Sequence, residues 1–162
     1  MDLTTRQELI DRYRHGHREV LDALHEITPD QLDARSDPNE WSARQVVHHL
    51  ADSEMTSAIR LRQLIAEDDP QIVGYDEEAF AERLHYDRPV DASLDALRAS
   101  RASTAEILDR LSETEWGRTG THSESGSYSV EAWLETYAAH AHEHAAQIRH
   151  ARAVSDPAAS RS

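Results

Sequence analysis

The sequence predicts an all-α protein folded as a four-helix bundle. Four long segments repeat apolar residues at three- and four-residue steps, and no stretch shows the two-residue alternation of a half-buried strand. Five Gly and five Pro in 162 residues are too few turn formers for the many short strands of a sandwich or barrel. Ala, the strongest helix former, is the commonest residue. The length suits one domain, assigned to residues 1–154. The small polar run Asp156-Pro157-Ala158-Ala159-Ser160-Arg161-Ser162 leaves 155–162 as a tail expected to be disordered.

Leu9, Tyr13, Val20, Leu24 and Ile27 mark a first helix from about Thr4 to Glu26, which Thr28-Pro29-Asp30 breaks. His17 falls in its inward row, where a pairing at the bundle edge is expected. Ser42 is placed to cap a second helix whose row runs through Val46, His49 or Leu50, Ser53, Ala58 or Ile59, Leu61 and Ile65. Asp68-Asp69-Pro70 ends it. A connection of some twenty residues follows, with Tyr75-Asp76-Glu77-Glu78-Ala79-Phe80 as a candidate short helix; connections this long usually carry function. The third helix starts at Asp91 or Ser93 and runs through Leu94, Leu97, Leu108 and Leu111, with Arg101 breaking its apolar row. The Gly- and Ser-rich stretch from Trp116 to Ser127 reads as one loop. Ser129-Val130-Glu131 opens the fourth helix, with Trp133, Leu134, Tyr137, His140, His144, Ile148 and Ala151 along one side.

Composition excludes several classes of function. Arg supplies all 17 basic residues against 31 acidic ones, and the formal charge of −14 disfavours nucleic acid or anionic membrane as a partner. Neither a signal peptide nor a membrane-spanning apolar run is present, so a cytoplasmic protein is expected. Without cysteine there is no disulfide and no thiolate nucleophile, and any metal must be held by His, Asp or Glu.

The eleven histidines carry the chemical signal. His140 and His144 are four residues apart, about 40° around a helix axis, so both rings can reach one ion. Their row also holds Tyr137 and Ile148, and two imidazoles buried without partners are costly unless a cation satisfies both. His49 shares the inward face of Val46 and Ser53, while His48 is turned by about 100°. Three inward His from two helices match the three-ligand, open-position plan of a catalytic metal. Asp52, one turn beyond His49, is the candidate catalytic base, ligand or partner of a ligand.

The run Trp41-Ser42-Ala43-Arg44-Gln45-Val46-Val47-His48-His49-Leu50-Ala51-Asp52-Ser53, together with His140-Ala141-His142-Glu143-His144-Ala145-Ala146-Gln147-Ile148, resembles the DinB/YfiT-like metalloenzymes, and the YfiT branch above all. The resemblance spans nearly the whole chain. It implies an up-down-down-up bundle, often a homodimer, with one divalent ion, zinc or nickel, on His49, His140 and His144. It further implies an S-transferase that moves a low-molecular-weight thiol, bacillithiol- or mycothiol-like, onto small electrophiles, or a metal-dependent hydrolase acting with water at the open position. A metal-binding stress-response bundle without turnover is the third reading. An open position on the ion can lower the pKa of thiol or water alike, and a thiol must come from a cosubstrate because the chain has none. The chain departs from the YfiT branch at Glu54 and Gln147, where that branch tends to have His.

Around the ion, Arg101 and His122 are candidates to hold the anionic thiol, and Tyr75 to close over the pocket. Arg44, Arg60 and Arg62 are expected to form surface salt bridges, and Trp41, Trp133 and Tyr137 to pack in the core.

Overall fold

The structure is a computed structural model and describes residues 1–154; the expected tail at 155–162 lies outside the described residues. Four long helices make the bundle: α1 (Leu3–Leu24), α3 (Ala43–Ala66), α5 (Asp91–Leu108) and α7 (Val130–Val154). Between them come α2 (Pro29–Asp33), β1 (Gln71–Ile72), α4 (Glu77–Arg83), α6 (Glu113–Trp116), β2 (Thr119–His122) and β3 (Gly126–Ser129).

Local chemistry explains the boundaries. Ser42 accepts from the Gln45 amide while the Gln45 side chain answers the Ser42 amide, so the start of α3 is fixed by a reciprocal cap. Thr28 and Gln31 do the same for α2, the short helix inside the segment expected to be only a break. Asp76 caps α4, confirming the short helix in the long connection. The third long helix ends at Leu108, not Leu111, because Ser112 and Glu115 cap a separate turn, α6.

Cross-helix pairs give the directions. Along α1 and α7, Arg6 meets Glu131, the Arg12 carbonyl meets His142 and Glu19 meets Arg149, so the two helices run parallel. His48 to Ser93 and Arg62 to Ser103 set α3 parallel to α5. His49 lies by His140 while the Ser57 carbonyl receives the Trp133 indole N–H, so α3 and α7 are antiparallel. The order is therefore up-down-down-up. A parallel α3–α5 pair needs a connection running the length of the bundle, and residues 67–90, with β1 and α4, supply it.

The stretch read as one loop, Trp116–Ser127, holds β2 and the start of β3. β2 pairs antiparallel with β3 and parallel with β1, from Thr119 opposite Ser129 to His122 opposite Gly126, with Gly126 at φ 76°. Gly120 lies against Pro70, whose carbonyl oxygen would stand 2.6 Å from any Cβ added there.

Two apolar clusters fill the bundle. One gathers Ile10, Leu61, Leu64, Leu108, Trp116, Trp133 and Leu134; the other Val20, Val46, Val47, Leu50, Leu97, Ala145 and Ile148. At the junction lies a polar layer: Glu54, Arg101, Ser53, Ser57, Thr104 and His49 are all buried. Trp133 and Tyr137 are core, as expected, and Ala58 faces inward, leaving Ile59 exposed.

Candidate metal centre

His49 on α3 and His140 and His144 on α7 converge where these antiparallel helices touch. One ligand atom from each lies within 4.8 Å of the others, and among the described residues this is the group that could hold an ion. His49 Nε2 and His140 Nε2 stand 3.4 Å apart. Two nitrogens about 2.1 Å from one tetrahedral ion are separated by about 3.4 Å, so this spacing suits a shared metal. His144 Nδ1 donates to Gln147 Oε1 at 2.7 Å, which leaves Nε2 with the lone pair a metal needs. Gln147, one of the departures from the YfiT branch, therefore orients the ring of a candidate ligand.

The electrostatics agree. Burial, followed by the neighbouring ring of His144, pulls His49 down to about 3. Burial and then the other two rings pull His140 down to about 2, and His144 is lowered chiefly by burial. The three rings are thus neutral, as metal ligation requires. His49 Nδ1 and His140 Nδ1 are buried without a hydrogen-bond partner. Three neutral imidazoles set this closely together are unfavourable for an ordinary core and natural for residues that share a cation.

The walls come from two directions. Trp41 packs on His49 with centroids 4.8 Å apart, and Tyr137 sets its ring against His140 at 5.7 Å. Trp41 is partly buried and packs against the edge of the second apolar cluster. It also borders a surface groove of about 470 Å³ beside α4. Tyr75 packs on Phe80 at 4.6 Å and brings its hydroxyl beside Ser53, one turn along α3 from His49. That hydroxyl is buried and has no hydrogen-bond partner of normal geometry. Burial pushes it up to about 12, so it stays protonated and can donate.

Asp52 does not join the ligand group. Its carboxylate accepts from the Tyr86 hydroxyl at 2.8 Å, turning it toward the 67–90 connection. His48 is as buried as His49 but faces α5, bonded to Ser93 Oγ and the Arg88 carbonyl.

Arg101 is placed otherwise than expected. It is 2 % exposed and all three of its nitrogens are engaged: Nε with Glu54 at 2.8 Å, Nη1 with the Tyr13 carbonyl and Nη2 with the Tyr137 carbonyl. Glu54 also accepts from the Tyr13 hydroxyl. The apolar row breaks at Arg101 because this guanidinium ties four helices together, so it does not serve as a free anion holder. Gly16 is its counterpart: a Cβ there would meet Arg101 Nη1 at 1.8 Å. His122 sits on β2, its Nδ1 accepting from the Glu124 amide and its ring against Tyr128 at 5.5 Å. It serves the hairpin, and no contact joins it to the three His among the described residues.

The residue missed from sequence is Arg60. Arg44 bridges Asp33, as a surface residue should. Arg62 bonds Ser103, Thr104 and the Ala58 carbonyl. Arg60, in contrast, is 9 % exposed and forms no ion pair among the described residues. Its place was legible from spacing: eleven residues are three turns and about 20°, which returns to the face of His49.

With this geometry in view, the comparisons are specific. The family profile described as the DinB superfamily matches residues 12–148. The chain belongs to the DinB superfamily. A DinB relative from Oceanobacillus iheyensis, named by inference as a metal-dependent hydrolase, is 40% identical over 141 residues, covering 87% of this chain and 82% of its own. One from Bacillus mycoides, similarly named, is 34% identical over 149 residues, covering 90% and 86%. The solved structure of YfiT from Bacillus subtilis superposes with a TM-score of 0.87 at 29% identity, covering 93% of this chain and 87% of that one. It is described as an inferred metal-dependent hydrolase with an unusual four-helix bundle topology.

Proposed function

We propose that the protein is a metal-dependent S-transferase, with one divalent ion, zinc or nickel, held by His49, His140 and His144. The observation that carries the reading is a set of three neutral His, His49 buried and His140 and His144 half-buried, with no carboxylate in the ligand group among the described residues, in a chain without cysteine. Bound there, the ion supplies a positive field that lowers the pKa of a thiol entering the remaining coordination position.

The chain's own residues do the rest. Tyr75 offers its unpartnered hydroxyl to the entering molecule, and Trp41 and Tyr137 enclose the ligand rings against water. Asp52, held by Tyr86, is proposed to receive the thiol proton. In the reaction the sulfur–carbon bond forms as the carbon–halogen bond of an aryl halide breaks, the halide leaving with the electron pair. Glu54 is committed to Arg101 and Tyr13, so among the described residues the group lacks the second free carboxylate that would favour hydrolysis.

The names of the relatives favour hydrolysis as the second reading. A homodimer in the cytoplasm remains part of the proposal; the exposed Met55 and Ile59 on α3 offer an apolar face for self-association. The deciding experiment is metal analysis followed by assay of 1-chloro-2,4-dinitrobenzene with several thiols, bacillithiol and mycothiol included. A conjugate formed in proportion to thiol supports transfer. Ester or amide cleavage indifferent to thiol, with no conjugate from any thiol, replaces it with hydrolysis.

A further inference from the structure

Three arginines lie inside the protein, and two of them are neutralised. Arg6 is clasped by Glu113 and Glu131, and Arg101 by Glu54. Among the described residues, Arg60 has no carboxylate within ion-pair distance. Its Nη2 donates to the Val73 carbonyl at 2.7 Å and its Nη1 reaches the Tyr137 hydroxyl at 3.4 Å, while Nε is buried with no partner. Arg6 Nε is also unpartnered, so the missing bond alone is not the distinction. What sets Arg60 apart is a buried positive charge without a counter-charge, a costly arrangement unless an anion arrives.

Its surroundings say where that anion would sit. On α3, Arg60 lies three turns beyond His49 on the same helix face, and its guanidinium reaches the Tyr137 hydroxyl. Tyr137 stands between, its hydroxyl on Arg60 and its ring against His140. The Tyr75 ring lies 5.7 Å from the guanidinium, and its hydroxyl is the other unpartnered donor on this side of the centre. The nearby acids do not fill the place. Glu54 is engaged with Arg101 and Tyr13, and Glu77, on the first turn of α4, feels the charge of Arg60 without pairing with it.

We infer that Arg60, with the hydroxyls of Tyr75 and Tyr137, forms a subsite for the carboxylate of the small molecule whose thiol reaches the metal. A planar guanidinium with spare N–H groups matches a carboxylate in shape and charge. This inference rests on the thiol reading above and adds to it the class of cosubstrate, a thiol that carries a carboxylate.

N-acetylcysteine and N-acetylcysteamine differ by that carboxylate alone, so they separate the two ideas. Titrated calorimetrically into the zinc-loaded protein, N-acetylcysteine is expected to bind at least about tenfold more tightly. In Arg60→Gln the two affinities should come within about twofold, with zinc content and N-acetylcysteamine affinity unchanged. Arg60→Lys, which keeps the charge without the planar fork, should retain part of the preference and decides the matter if the Gln variant fails to fold. Equal binding of both thiols by the wild type, or a full preference surviving in the variants, overturns the subsite and leaves the thiol reading standing. If neither thiol binds, both fall together.

Discussion

The polar layer across the bundle contains two clusters that are finished to different degrees. In the clasp of Glu54, Arg101 and Tyr13, each carboxylate oxygen has a donor and each guanidinium nitrogen an acceptor. In the cluster of His49, His140 and His144, two ring nitrogens have no partner, and among the described residues no carboxylate joins the group. Both are polar sets on the same helices, the clasp buried and the imidazoles buried at His49 and half-buried at His140 and His144, so burial alone does not separate structure from function here. Completeness does: the clasp satisfies itself, whereas the imidazoles need something from outside.

The comparison breaks most visibly at Arg101. Arg101→Met leaves Glu54 buried without its partner and should cost about 3–5 kcal/mol in urea unfolding, enough to remove much of the stability of a domain this size. A loss below about 1 kcal/mol would mean that the clasp is not the tie described.

At the other cluster the same kind of change should act on metal and not on folding. His140→Leu is expected to lower bound zinc at least about tenfold while the metal-free protein stays within about 1 kcal/mol of wild type or gains stability, since an orphaned nitrogen is removed. Unchanged zinc stoichiometry in a His140→Leu, His144→Leu double variant would remove the site.

Acidification sharpens the contrast further. His49 and His140 are held near 3 and 2, and His144 and His48 are lowered, each chiefly by burial, against about 6.5 in an unfolded chain. Above pH 6.5 both states are neutral at these rings. Below it the unfolded chain takes up protons that the folded one refuses, so stability is lost as the pH falls toward the folded values. The urea midpoint of the metal-free protein should drop between pH 6.5 and 4.5, and drop less in the double Leu variant. A profile independent of those residues would contradict the assignment.

The smallest effect expected is at the margin between the clusters. Tyr86→Phe deletes the one side-chain bond to the Asp52 carboxylate and should cost about 1 kcal/mol of stability, with zinc content unchanged. A fall in zinc content would show that Asp52 supports the ligands more directly than its contacts indicate.

How much of this is legible in the sequence depends on the range of the interaction. Ser42 with Gln45, and His140 with His144, act within one helical turn, so spacing alone exposes the cap and the ligand pair. His49 follows from helix periodicity. The hairpin escapes because Thr119-Gly120-Thr121-His122 has no apolar alternation; pairing with β1 nearly fifty residues earlier holds it. Arg101 and Arg60 are misread for a shared reason. A charge in an apolar row does not say whether a counter-charge waits on another helix, and Glu54 answers for one of them only. Gly16 carries the overlooked clue, since glycine at mid-helix is unfavourable unless something must come close.

The parallel course of α3 and α5 has a consequence for how such a protein can change over generations. The candidate ligands His49, His140 and His144 stand on α3 and α7, which touch directly, while Tyr75, Phe80 and Tyr86 come from the long crossover that the parallel course demands. Substitutions, insertions or deletions between residues 67 and 90 can therefore remodel what is admitted to the centre while the ligands keep their places. The three His and the aromatic walls of the crossover are inherited on separate stretches of chain, so the surroundings of the centre can vary by rewriting one connection.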